Sequence, residues 1–180
     1  MLLYTSNSEI VKFQCLKCGN CCHNLIPSNG KAGLMLFPNE RNLFSKEKIR
    51  PCLGIGRSPY HRRFKTISYQ LTVETCSHLK EKRCLVYEQR PLVCRICPFR
   101  IKYDRIHYSF GLAPECSFTV ELINRYPSTK NLNCEINSEY VIGKEMIIKM
   151  RDFYDLKDRK ARQWVYNLST NNWDHYFQSS

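Results

Sequence analysis

Nowhere in these 180 residues is there an apolar run of eighteen, so no membrane-spanning helix is expected. The opening MLLYTSNSEIVKF has no basic stretch leading into an apolar one. It does not read as a signal peptide, and a cytoplasmic location is expected. Glycine is scarce, at seven residues, and no glycine-rich loop follows a strand-like run, so the common nucleotide and S-adenosylmethionine cradles are missing. Acids are few around the cysteines: Glu74, Glu81 and Glu88. Neither paired carboxylates nor a Ser–His–Asp pattern can be read, and the residues alone assign no activity. Internal repeats and low-complexity segments are also lacking.

What the chain does have is cysteine, eleven in all or about 6%, below the 8–10% of a short disulfide scaffold. In a reducing compartment such thiols bind metal more often than they pair. FQCLKCGNCCH, Phe13 to His23, holds Cys15, Cys18, Cys21 and Cys22. The C-x2-C spacing turns two thiolates onto one ion, with backbone N–H groups free to bond sulfur. Gly19 falls where such a loop needs conformational freedom. If the backbone there is extended, Cys21 and Cys22 point in opposite directions, so one of them is expected to face a second centre or the core. Cys76, Cys84, Cys94 and Cys97 form a second group, with Cys97 followed by Pro98 as at the end of a bacterial ferredoxin run. Cys52, Cys116 and Cys134 stand alone, where a small buried hydrophobe is the ordinary reading.

All-sulfur ligation suits zinc or an iron–sulfur cluster. C-x2-C-x2-C with a distant fourth cysteine is closer to a [4Fe–4S] pattern than to two paired zinc ligands. His23 and His78, each beside a candidate ligand, are minor candidates. Arg90, Arg95 and Arg100 are placed either to donate to thiolates and raise a potential or to lie on the surface, Arg90 pairing with Glu88. His61 and His107 carry no motif.

The net charge of +12 is concentrated. Residues 41–105 carry sixteen Lys/Arg against five Asp/Glu, while 1–40 carry three against two and 106–180 nine of each. Such a block is a solvated face, an offset to metal-bound thiolates, or a surface for nucleic acid or an acidic protein.

The fold class expected is α+β: a small cysteine-rich domain of short strands and helices, residues 1–134, with a C-terminal extension, 135–180, packed on it. Strands are expected at 34–37 and 64–75, a helix from Pro38 to Ile49, a loop over 51–62, and a strand or turn at 84–87. A short helix is expected over 88–96, a hairpin or long strand over 100–110, and a helix from Ser117 to Tyr126. From Ser138, Ile142, Met146, Met150 and Phe153 mark an amphipathic helix, continuing or restarting through Ala161, Trp164, Val165 and Leu168.

Several phrases together resemble one family. They are F-x-C-x2-C-G-x-C-C at 13–22, LMLFPNE at 34–40, C-x2-L at 76–79, C-L-V-Y-E-x-R-P at 84–91 and C-R-x-x-P-F at 94–99. The chain over about 13–116 resembles the CxxCxxCC family of zinc- or iron-chelating proteins, also called the YkgJ family of Fe–S-cluster-containing proteins. The resemblance implies eight ligands: Cys15, Cys18, Cys21, Cys22, Cys76, Cys84, Cys94 and Cys116. The sequence around Cys116, PECSF, departs from the family's Cys-Pro-Gly, and Cys97 stands where the family often has another residue, as a substitute ligand or an extra thiol. The module is also similar to part of the much longer flagellin lysine methylases.

Four readings stand. One is a metal- or cluster-binding protein, with a [4Fe–4S] cluster or zinc or both. The others are a cluster-assisted enzyme, a zinc-stabilised binder of nucleic acid or an acidic partner, and a disulfide-rich protein of a hyperthermophile. The first is the expectation carried forward.

Overall fold

The computed structural model describes residues 2–4, 10–12, 15–26, 30–103, 108–125 and 163–175. The strands are β1 (Leu2–Tyr4), β2 (Ile10–Lys12), β3 (Met35–Leu36), β4 (Ile49–Ile55), β5 (Lys65–Leu71), β6 (Leu79–Lys80), β7 (Arg83–Cys84), β8 (Phe99–Tyr103), β9 (Tyr108–Leu112), β10 (Gln163–Asn167) and β11 (Asn172–His175). The helices are α1 (Leu92–Arg95) and α2 (Ser117–Arg125). Sheets dominate and helices are few. Among the described residues no helix is long and apolar enough to cross a membrane.

The main sheet runs β11-β10-β4-β5-β3, every neighbour antiparallel. β1–β2, β6–β7 and β8–β9 are separate two-stranded pairs. Leu36 of β3 and Leu71 of β5 are fully buried and pack with Leu25 and Phe44, flanked by Leu34, Leu43 and Ile49. α1 lies against β3 and buries Leu92 completely.

Several expectations change here. The segment expected as a loop over 51–62 begins with strand β4, despite Pro51. The β4–β5 register shifts between Pro51 and Leu53 and again between Leu53 and Gly54, and a bulge is where a strand tolerates proline. Gly54 is needed: a Cβ there would come 2.1 Å from the Phe64 ring. In β5 the fully buried side chains include Ser68 and Gln70 as well as Leu71, while Ile67 and Tyr69 are only partly buried. Gln70 tolerates this because its amide is satisfied. Its Oε1 accepts from Gly33 N–H at 2.7 Å, and its Nε2 donates to the carbonyls of Pro51 at 2.6 Å and Tyr166 at 3.0 Å. One buried side chain thereby ties β4, β10 and the loop before β3 to β5.

The helix expected over 38–49 is two 3₁₀ turns, Arg41–Leu43 and Lys46–Lys48. Phe44 and Ser45 between them are extended, with ψ of 154° and 142°, which interrupts the helix, and Glu40, just before the first turn, and Phe44 are both buried. α2 lies where expected, and the 100–110 expectation resolves as the β8–β9 pair. The amphipathic helix expected from Ser138 lies outside the described residues, as does Cys134. Its expected continuation through Trp164 and Val165 is instead β10, paired on one side with β4 and on the other with β11. Aromatic and β-branched residues suit a pleated surface, and pairing overrides a helical pattern.

Candidate metal centre

The first cysteine segment is a tight loop. Lys17 and Gly19 have φ of 53° and 78°, and Asn20–Cys22 is a 3₁₀ turn closed by Cys22 N–H donating to Gly19 O at 2.9 Å. Gly19 has a second reason to lack a side chain: a Cβ would lie 3.0 Å from Leu79 Cδ1 and 3.1 Å from the Lys82 carbonyl. Because the backbone is turned rather than extended, Cys21 and Cys22 do not diverge as expected. Their thiols hydrogen-bond one another.

The second group is brought up in steps. Cys76 N–H donates to Cys22 O at 2.8 Å, joining the two segments directly. The β6–β7 hairpin turns on Glu81 and Lys82, both at positive φ, and sets Cys84 opposite Leu79. That is the conformation of a tight two-residue hairpin turn. After the 3₁₀ turn Tyr87–Gln89, α1 carries Cys94 and leads to Cys97, whose peptide to Pro98 is cis. Cys116 lies immediately before α2, and Asn20 Nδ2 donates to Ser117 Oγ at 3.2 Å across the join.

All nine candidate ligands, Cys15, Cys18, Cys21, Cys22, Cys76, Cys84, Cys94, Cys97 and Cys116, line one cavity of about 250 Å³. Leu25, Leu34 and Phe44 form its apolar wall, and Leu25 and Phe44 are also members of the core. Five thiols form a continuous chain of hydrogen-bonded neighbours: Cys76 to Cys22, Cys22 to Cys21, Cys21 to Cys97, Cys97 to Cys116. Protons are shared unevenly along it. Hydrogen bonds from Cys22 and Cys97 lower Cys21 to about 3. Cys76, beside Cys22, and Cys116, beside Cys97, fall to about 6. Cys22 and Cys97, the donors, are pushed far up. Backbone N–H groups of Phe118 and Thr119 at the start of α2 also hold the Cys116 sulfur as thiolate. Burial raises Cys94 to about 12 and also raises Cys84.

Among the described residues, no group of three or more His, Cys, Asp or Glu side chains is drawn together as for one bound ion. The thiols line a wall. The donor set is soft sulfur in a largely apolar setting, which fits zinc or iron and not magnesium or calcium.

Arg90 is placed by Tyr87. Its guanidinium stacks 3.6 Å from the ring centroid, and its Nε donates to the Tyr87 carbonyl at 2.6 Å. From there its charge favours the thiolates of Cys21, Cys84 and Cys94. Of the two sequence readings for Arg90, the one toward the thiols matches this position, with charge as the means. Tyr87 hydrogen-bonds the Cys15 thiol, and Lys17 lies 5.1 Å over its ring. His78 is occupied elsewhere, its Nε2 bonded to the Leu43 carbonyl at 2.6 Å and its ring 5.0 Å from Phe44. His23 faces Thr75 Oγ1 at 3.3 Å. Neither histidine lines the cavity, nor does Cys52, which is buried in β4 against Ser68.

Two residues to which sequence reasoning gave no role position the site. Tyr87 is one. Glu40 is the other: 7% exposed, its Oε2 accepts from Phe37 N–H at 2.8 Å and its Oε1 from Leu92 N–H at 2.7 Å. It holds the start of α1, and so the Cys94–Cys97 segment, against the turn after β3. Both residues lie within the phrases LMLFPNE and CLVYEQRP, which were the available signal.

No curated protein and no solved structure matches the chain. The family model CxxCxxCC, described as "Putative zinc- or iron-chelating domain", matches residues 14–117. That is more than half of the 180 residues, it contains every cysteine of the cavity, and on it the chain belongs to the CxxCxxCC family of metal-chelating domains.

Proposed function

We propose that this metal-chelating domain holds an iron–sulfur cluster of the [4Fe–4S] type in the cysteine-lined cavity, with ligands drawn from Cys15, Cys18, Cys21, Cys22, Cys76, Cys84, Cys94, Cys97 and Cys116. The observation that carries the reading is the gathering of nine thiols round one space of about 250 Å³. A structural zinc takes four ligands in a closed shell, and so does a cubane. Nine thiols exceed either requirement, and the space accommodates more than one ion. The surplus thiols suit a second ion beside the cluster. When bound, a cluster supplies one-electron chemistry or a Lewis-acidic iron.

The chain's own residues do the rest. Cys21, Cys76 and Cys116 are already biased to thiolate. Cys22, Cys84, Cys94 and Cys97 hold protons that binding must displace, so loading releases protons. Arg90 and the rim residues Lys17, Lys82 and Arg83 offset the negative charge that thiolate ligation brings. Leu25, Leu34 and Phe44 limit access of water, a lever on reduction potential. On the same reading the cysteine-rich part, 1–134, and the extension, 135–180, form one unit. The support is the pairing of β10 with β4.

The test is metal and acid-labile sulfide content with a visible spectrum, on protein purified without oxygen. About four irons and four sulfides per chain with broad absorption near ~400 nm are expected. Zinc without sulfide overturns the cluster reading and makes the centre structural.

A further inference from the structure

Cys116 comes to the cavity wall as the cap of a helix. Its N–H donates to Ala113 O at 3.1 Å, and Ala113 N–H donates to Pro98 O at 2.6 Å, so the turn before α2 is bonded to the residue after Cys97. The Asn20–Ser117 bond ties the same point to the first cysteine loop. Cys116 O accepts from Val120 N–H at 3.1 Å, and α2 runs from the next residue for nine residues. Cys116 therefore stands at the N-cap, where a side chain accepts from the backbone N–H groups two or three residues on. Those residues are Phe118 and Thr119. The Cys116 thiolate is favoured first by the Cys97 thiol, then by these two N–H groups and by the Thr119 hydroxyl.

The N-cap accounts for the backbone groups but not for the hydroxyl. Thr119 is 1% exposed. Its Oγ1 is sealed from water, lies close enough to the Cys116 sulfur to favour its thiolate, and yet makes no hydrogen bond. A helical threonine can give its hydroxyl to a carbonyl one turn back; this one does not. A buried polar atom left unpaired is uncommon in a folded protein and points to a partner that is absent. Thr119 does not line the cavity, whereas Cys116 and Phe118 do. The hydroxyl therefore acts on the centre through the sulfur. A thiol sulfur is a weak acceptor, while an ionised acceptor makes hydrogen bonds about twice as strong. Metal ligation requires the thiolate, and with it the hydroxyl gains the acceptor it lacks.

We propose that Thr119 is a positioning residue of the metal centre, its hydroxyl donating to Cys116 Sγ when that sulfur ligates the metal. The proposal rests on the metal centre argued above, but not on the choice between cluster and zinc.

The experiment uses the full chain, purified without oxygen, as wild type, Thr119→Val and Thr119→Ser. Valine keeps the shape and removes the hydroxyl; serine keeps the hydroxyl. Removing an unpaired buried hydroxyl takes no hydrogen bond from the fold. Metal per chain is followed against graded EDTA, with acid-labile sulfide measured alongside. Donors directly behind a metal ligand are worth about 10- to 100-fold in metal affinity. Thr119→Val should lose metal more readily by that factor, and Thr119→Ser should stay close to wild type. In a Cys116→Ala background, Thr119→Val should have no further effect, because its route is the sulfur. If sulfide is present, the reductive midpoint of the visible spectrum should move to lower potential in the valine variant and not in the serine variant. Zinc without sulfide overturns the cluster reading and leaves the expected order of metal retention in force. Thr119→Val that retains metal as wild type does overturns the proposal. So does a loss that Thr119→Ser shares in full or that persists without Cys116, either of which makes Thr119 a packing residue.

Discussion

Removing the Glu40 carboxylate tests the link between the fold and the site. The carboxylate is buried and takes one backbone N–H on each oxygen, Phe37 at 2.8 Å and Leu92 at 2.7 Å. A hydrogen bond to a charged group contributes about 1.5–3 kcal/mol, and a buried donor left without a partner costs its desolvation. Glu40→Ala therefore costs about 3–6 kcal/mol, a large part of the 5–15 kcal/mol that holds a domain folded. Glu40→Gln keeps the shape and one acceptor but turns the second oxygen into a donor facing a donor. It is expected to cost about half as much, ~1.5–3 kcal/mol. Urea unfolding followed by circular dichroism, at fixed protein and metal concentration, measures both changes. Since Leu92 N–H begins the helix that carries Cys94, metal per chain after a mild chelator should fall in the same order, wild type above Gln above Ala. A Glu40→Gln protein within ~0.5 kcal/mol of wild type, the range of an ordinary surface change, with undiminished metal would refute the argument that this carboxylate positions α1.

Cys21 stands in the middle of the thiol chain and Cys52 lies outside the cavity. Cys21→Ala should lower metal content sharply and Cys52→Ala leave it unchanged; equal losses would mean that the metal does not depend on the cavity. In metal-free protein, Cys76 and Cys116 at about 6 are mostly thiolate at neutral pH, while burial raises Cys52 and keeps it a thiol. Alkylation at pH 7, read by peptide mass spectrometry, should therefore label Cys76 and Cys116 before Cys52. The lead should shrink as pH falls through 6 and the two thiolates take up protons; Cys52 reacting first contradicts the assignment. Gly19→Ala puts a side chain at φ 78° and 3.0 Å from Leu79. It should cost about 1–2 kcal/mol for the left-handed backbone alone, seen as a lower urea midpoint. A midpoint equal to wild type would remove the strain argument.

The cysteine segments were legible because metal ligation by C-x2-C is a local device: spacing along the chain nearly determines spacing in space. α2 was legible from its own periodicity. What could not be read was decided by distant partners. Pro51 and Gly54 look like loop residues until β5 supplies the bulged register, Gln70 bonds the Pro51 carbonyl, and Phe64 fills the space a Cβ would take. Trp164 and Val165 fitted a helical pattern until β4 offered an edge. The vicinal pair Cys21–Cys22 was read as divergent on the assumption of an extended chain; the 3₁₀ turn made by Gly19 and Asn20 reverses it. Glu40 carries no motif of its own. Its role exists only because Leu92, fifty-two residues away, presents an N–H to it.

Seven of the sixteen Lys/Arg of residues 41–105 fall in two places with different surroundings. Lys82, Arg83 and Arg90 line the cysteine cavity, joined by Lys17 from the first loop and opposed there by Glu88. That local excess answers a local deficit, because four thiolates on a divalent ion leave a net of −2 and cysteine-ligated clusters are likewise anionic. Arg57, Arg62 and Arg63 on the β4–β5 connection, and Lys65 at the start of β5, do not line the cavity. A surplus that only served the metal would be confined to the cavity wall. Those four cations are exposed, make no ion pair among the described residues, and are solvated by water. The strongly basic composition is thus only partly a complement to the cysteine cavity.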